Sequence, residues 1–195
     1  LFDAALGRAQ DAGIYGRASL AHGATLQGPA LITEEETTTV LPLSRQARIL
    51  GDGSIDITVQ GVTVGRGAGA VATNTAVGAS ALQANTTGAG VMAVGYETLY
   101  SNNGNFNTGI GRQALRTNST GYENVGVGYT ALYSNSSGIR NTAIGTEALN
   151  ANTTANNNTA VGYQAGYTNQ TGTLNTFIGV QAGYYATGGN NSYLG

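Results

Sequence analysis

From residue 74 onward the chain alternates small, polar and aliphatic residues with a fixed period. A five-residue phrase begins at Asn74, Val91, Asn107, Asn124, Asn141, Asn158, Asn175 and Asn191, in forms such as NTAVG, NTGIG and NTAIG. The phrases close on Gly78, Gly95, Gly111, Gly128, Gly145, Gly162, Gly179 and Gly195, so the spacings are 17, 16, 17, 17, 17, 17 and 16 residues. A period this short is too small for a two-helix repeat. It predicts an all-β fold, a parallel β-solenoid (β-roll) of 16–17-residue coils, rising about 4.8 Å per coil.

Counting the first Asn as position one, position four is always aliphatic: Val77, Val94, Ile110, Val127, Ile144, Val161, Ile178 and Leu194. Position two is mostly Thr and shares a strand face with position four, because side chains alternate with period two. Positions three and five are small, as in Ala76 and Gly78 or Ala143 and Gly145, until Phe177 and Tyr193 interrupt position three. Position nine is Leu82, Leu99, Leu115, Leu132 and Leu149 before Gly166 and Gly183 break the column. Positions four and nine are therefore expected to face the interior, so that Asp at Val127 or Ile144 unfolds the stack. The Ala/Gly strip of positions three and five is expected to face another copy of the chain. Coils this thin need a neighbour to bury enough surface, and a homo-oligomer follows.

Asn85, Asn102, Asn118, Asn135, Asn152 and Asn169 all fall at position twelve. Asn tolerates the backbone of a corner, and identical Asn residues one coil apart form hydrogen-bonded ladders. Five of these also read as N-glycosylation acceptors, for example Asn118-Ser-Thr and Asn135-Ser-Ser, although a corner rule of Asn followed by Thr or Ser creates such sites automatically. Tyr96, Tyr129 and Tyr163 share position six, and Tyr100, Tyr133, Tyr167 and Tyr184 share position ten. These seven tyrosines form the candidate binding surface, two strand spacings apart along one edge. Aromatic rows beside Asn and Thr suit cell-surface carbohydrate or protein; the competing reading is that they shield apolar columns or fill a subunit interface.

NTAVGASALQANTTG, NVGVGYTALYSNSSG and NTAIGTEALNANTT resemble repeats of tail-fibre and other virion proteins of environmental bacteriophages. More distantly, NTAVG and NTAIG are similar to the core phrase of trimeric autotransporter adhesin heads, which are parallel β-rolls with a shorter repeat. The resemblance covers about two thirds of the chain. It implies a structural fibre or adhesin segment at a virion surface or outside the cell, assembled as a trimer, with a polymer as the second form. A filament subunit joined through its N-terminal segment is the alternative within the same class.

Residues 1–60 have another character, with both prolines, the only His and seven of the ten acids. LFDAALGRAQ places Phe2, Ala5, Leu6 and Ala9 on one helical face, predicting a short helix. The rest reads as β-rich, with a hairpin turn at Asp52-Gly53. Residues 61–73 read as a degenerate opening coil, since Gly65 precedes Gly78 by only 13. IYGRASLAHGATLQGPALITEEETTTVLPL resembles the C-terminal end of hydantoinase A and acetone carboxylase-type subunits, through Tyr15, Arg17, Leu20, Gly23, Gly28, Pro29, Ala30, Ile32, Glu34, Thr37 to Val40 and Pro42. Leu43-Ser44 departs from the Pro-Gly turn usual there. The resemblance implies a non-catalytic tail, because that family's nucleotide and metal sites lie in other segments.

Charged residues make up 9% of the chain, and all eight cations are Arg. The net charge of −2 with no basic cluster argues against nucleic acid. No apolar run approaches 18 residues, so no membrane span is predicted. Zero Cys excludes disulfides and thiolate chemistry. His22 has no Ser or Asp constellation around it, and Glu34, Glu35 and Glu36 have no partner motif for acid–base or metal chemistry. GRGAG at 65–69 lacks the Lys and Ser/Thr of a phosphate loop and reads as a tight turn. No cofactor, metal or catalytic residue is predicted. Leu1 is not an initiator Met and Gly195 stops within a repeat, which leads to the expectation of a piece of something longer.

Overall fold

The computed structural model describes residues 2–3, 8–9, 13–21, 23–28, 30–33, 38–41, 45–49, 55–59, 62–68 and 71–195. The chain forms two compact units, Leu1–Gly65 and Arg66–Gly195. The boundary falls inside the stretch 61–73 expected as an opening coil.

In the first unit β1 (Phe2–Asp3) and β2 (Arg8–Ala9) pair antiparallel, Phe2 opposite Ala9. The helix expected here does not form. Ten residues are too few to sustain an isolated helix, and Gly7 weakens this one further. A second sheet joins β3 (Gly13–Gly16), β5 (Ala30–Thr33) and β6 (Thr38–Leu41), parallel across the first pair and antiparallel across the second. A third joins β4 (Thr25–Gln27), β7 (Arg45–Ile49), β8 (Ile55–Val59) and β9 (Val62–Gly65), all antiparallel. The β7–β8 hairpin runs from Arg45 opposite Val59 to Ile49 opposite Ile55, as the Asp52-Gly53 signal predicts; the turn itself lies outside the described residues. Leu26, Ala30, Ile32 and Ala47 form this unit's buried cluster, with Leu20 packed against it.

The second unit is the solenoid. Its strands are β10 (Thr75–Val77), β11 (Met92–Val94), β12 (Thr108–Ile110), β13 (Val125–Val127), β14 (Thr142–Ile144), β15 (Thr159–Val161), β16 (Thr176–Ile178) and β17 (Ser192–Leu194). Each lies parallel to the next and in register, so Ala143 pairs with Ala160 and Ile144 with Val161. Strands of three residues are too short to hold a sheet, but the coil-to-coil bonding continues around the turns. Leu132 N–H donates to Ala148 O at 3.0 Å, Glu147 N–H to Tyr129 O at 2.8 Å, and Arg140 N–H to Tyr122 O at 3.1 Å.

The strand faces are the reverse of those expected. Position three is inside: Ala76, Ala93, Ala143, Ala160 and Phe177 are buried, Ala143 and Ala160 completely. Position four is outside, with Ile144 42% and Ile178 45% exposed. The Ala/Gly strip is thus interior and cannot meet another chain, and Val127 and Ile144 do not line the core. The cause is the Asn at position one. Asn107, Asn124, Asn141 and Asn158 are fully buried, and alternation then sends position three inward and positions two and four outward.

Two Asn columns replace the second aliphatic column. Asn141 Nδ2 donates to Asn124 Oδ1 at 3.1 Å and to Ala155 O at 2.8 Å, while its own Oδ1 accepts from Asn158 N–H at 3.0 Å. At position twelve Asn135 Nδ2 donates to Asn118 Oδ1 at 2.6 Å, and Asn152 Nδ2 to Asn135 Oδ1 at 2.7 Å. The Gly138 carbonyl accepts from Asn124 and Asn135 alike, at 2.8 and 3.0 Å, so one carbonyl ties the columns together. Buried amides that find all these partners stabilise the coil, because a buried polar group left unpaired is costly.

Only Leu at position nine is a bulky core residue in most coils. Where it becomes Gly166 and Gly183, Phe177 enters from position three and fills the same volume. A Cβ on Gly166 would stand 2.6 Å from Phe177 Cδ2. Phe177 in turn stacks on Tyr193 with centroids 5.3 Å apart. The two irregularities in the repeat compensate each other. Position five admits only glycine for another reason: Gly128 has φ 133°, and a Cβ there would lie 2.5 Å from the Gly145 carbonyl of the next coil.

Candidate functional site

Positions six, seven and ten form one surface. Tyr96, Tyr129 and Tyr163 are exposed, whereas Tyr100, Tyr133, Tyr167 and Tyr184 are half-buried. The seven tyrosines therefore do share an edge, but they are not bare rows. Arg112 stands between Tyr96 and Tyr129, its guanidinium carbon 5.7 and 5.8 Å from the two ring centroids. Arg116 stands likewise between Tyr100 and Tyr133, at 5.3 and 6.0 Å. At the C-terminal end Tyr167 stacks on Tyr184 at 5.0 Å, and Tyr185 meets Tyr184 edge-on at 4.6 Å.

Position seven binds the two columns. Glu97 accepts from Gln113 Nε2 at 2.8 Å and from Arg116 Nε at 2.7 Å. Gln113 foremost and then Arg116 hold its carboxyl down from 4.5 to about 2. A carboxyl depressed in the folded state adds stability above its unfolded value, and that contribution fades as the pH falls from about 4.5 through about 2. NMR titration should place the Glu97 midpoint near 2, and Arg116→Ala should raise it toward 4.5. The pair is exposed, so the effect on melting should be slight.

Sequence reasoning missed Arg112, Arg116 and Glu97 as parts of this edge. Their signal is the i, i+17 spacing that sets Arg between Tyr in successive coils. It also missed a shallow groove of about 390 Å³ lined by Asn103, Gly104, Asn105, Phe106, Thr120, Tyr122 and Glu123. Coil two is one residue short there, a deletion visible in the spacing of 16. Arg140 closes one side, pairing with Glu123 at 2.7 Å and lying over Tyr122 at 5.9 Å.

The other candidates resolve simply. His22, Glu34, Glu35 and Glu36 lie outside the described residues. In the 65–69 turn Gly67 has φ 81° and packs on Leu82, while Ala68 N–H donates to Leu82 O at 3.1 Å. The five formal glycosylation amides, on Asn85, Asn118, Asn135, Asn152 and Asn169, are buried and already donate within the coil, so folded chain offers none of them to a glycan. Among the described residues no cluster of three His, Cys, Asp or Glu is placed to hold a metal, and no helix is long and apolar enough to cross a membrane. The fold and this edge define a β-solenoid with an aromatic–arginine rib. No protein family, characterised protein or solved structure matches the chain.

Proposed function

We propose that this chain is a structural fibre or adhesin segment of the tail-fibre type, which assembles with copies of itself and displays the tyrosine edge to a cell-surface partner. The observation that carries the reading is the outward strand face. Its Thr column at position two and aliphatic column at position four run through all eight coils without a charged residue. Ile110, Ile144, Val161, Ile178 and Leu194 are 39, 42, 37, 45 and 78% exposed. Eight strands about 4.8 Å apart make this strip about 34 Å long. Apolar patches of such extent mark interaction surfaces. The absence of charge removes any like-charge barrier between identical copies. A trimer is the form favoured by the resemblance to phage fibres and adhesin heads, with an open polymer second, and the role is binding and spacing rather than catalysis.

Light scattering tests the assembly. The parent should have a multiple of 19.7 kDa at micromolar concentration, and Ile144→Arg should reduce it to the monomer with its β circular dichroism intact. A parent that is already monomeric overturns the reading.

A further inference from the structure

The solenoid repeats one arrangement two coils on, and the second copy lacks its cations. In coils two to four Arg112 and Arg116 fill the gaps between Tyr96 and Tyr129 and between Tyr100 and Tyr133. In coils four to six the flanking tyrosines recur as Tyr129 and Tyr163, and as Tyr133 and Tyr167, but the residues between them are Thr146 and Asn150. Asn150 is tied back, its Nδ2 donating to Thr130 O at 3.0 Å. Thr146 is exposed and far shorter than the arginine of the filled gap.

The acid recurs as well. Glu147 accepts from Gln164 Nε2 at 2.6 Å, as Glu97 accepts from Gln113. Glu97 then has Arg116 from position ten of the next coil, where Glu147 has Tyr167; among the described residues Glu147 has no ion-pair partner. Two rings separated by two coil rises stand about 9.6 Å apart. That admits one planar group at about 3.5–4.0 Å from each face.

We infer that the slot formed by Tyr129, Thr146 and Tyr163, flanked by Glu147, receives the guanidinium of an arginine on a partner protein, seated as Arg112 is seated between Tyr96 and Tyr129. The inference rests on the tyrosine edge being a displayed surface. A guanidinium is planar and weakly hydrated, so it stacks between rings and keeps its charge toward the carboxylate. A lysine ammonium is a compact, strongly hydrated charge that stacks poorly.

The test is a titration of the full chain with acetyl-Gly-Arg-Gly-amide at millimolar concentration, followed by the NMR signals of the tyrosine rings. Saturable shifts are expected at Tyr129 and Tyr163, weaker with the lysine peptide and absent with the uncharged citrulline peptide. Tyr163→Ala should weaken binding about two- to five-fold. Thr146→Arg supplies the guanidinium internally and should abolish the shifts. No saturable shift in the parent, equal binding of the citrulline peptide, or undiminished binding by Thr146→Arg each overturns the inference. So does a neutral glucose oligomer that shifts these rings when the arginine peptide does not. Light scattering on the same samples judges the assembly separately: Thr146→Arg should keep the parental mass, and Ile144→Arg should lose mass but keep the peptide.

Discussion

Arginine at Ala143 should unfold the solenoid, while arginine one residue later, at Ile144, should leave it folded. Ala143 is fully buried between Gly126 and Ala160 of the adjoining strands. No carboxylate is within that interior to pair with a charge, and an unpaired buried charge is among the few changes that remove about 4–5 kcal/mol or more. Ile144 is 42% exposed, so a long cation there extends into solvent and should change stability by about 1 kcal/mol or less. Urea melts followed by circular dichroism decide the matter. If Ala143→Arg melts with the parent and Ile144→Arg does not, the strands present the opposite face.

Asn141→Leu should be nearly as damaging although it adds apolar surface. It leaves Ala155 O and Asn158 N–H without their partners and removes the acceptor for Asn158 Nδ2. Each buried group left unpaired costs about 1–3 kcal/mol, so the loss should reach about 3–6 kcal/mol. Val91 is the natural exception in this column and marks the condition for tolerance. There Asn107 Nδ2 is redirected to Asn102 Oδ1 at 2.9 Å, in the one coil that ends a residue early before Asn107. Coil five has the full 17 residues and no such detour. A urea midpoint for Asn141→Leu equal to the parent's would mean that the ladder does not hold this column.

The arginine–tyrosine rib was half legible. Column positions follow from counting, so the seven tyrosines fall on one edge as expected. That Arg112 and Arg116 lie between them needs only the same count carried to the intervening coil. The bond from Arg116 to Glu97 joins position ten of one coil to position seven of the previous one, and no spacing rule announces it. The first unit was less legible. Its hairpin at Asp52-Gly53 comes from local turn chemistry, whereas the pairing of Phe2–Asp3 with Arg8–Ala9 overrides a weak helical pattern.

The sequence by itself determined the solenoid, its period, its register and the columns, because identical residues at a fixed spacing can stack only upon themselves. It did not determine which face of the strand looks inward. Aliphatic side chains at position four and amides at position one offer opposite answers, and hydrophobicity alone favours the aliphatic one. The tertiary structure decides for the amides. A coil of 16–17 residues encloses too little space for two bulky aliphatic columns, and the carbonyls at its corners need donors that only the buried Asn residues supply. Once those amides are inside, alternation leaves alanine in the core and sends valine and isoleucine to the surface.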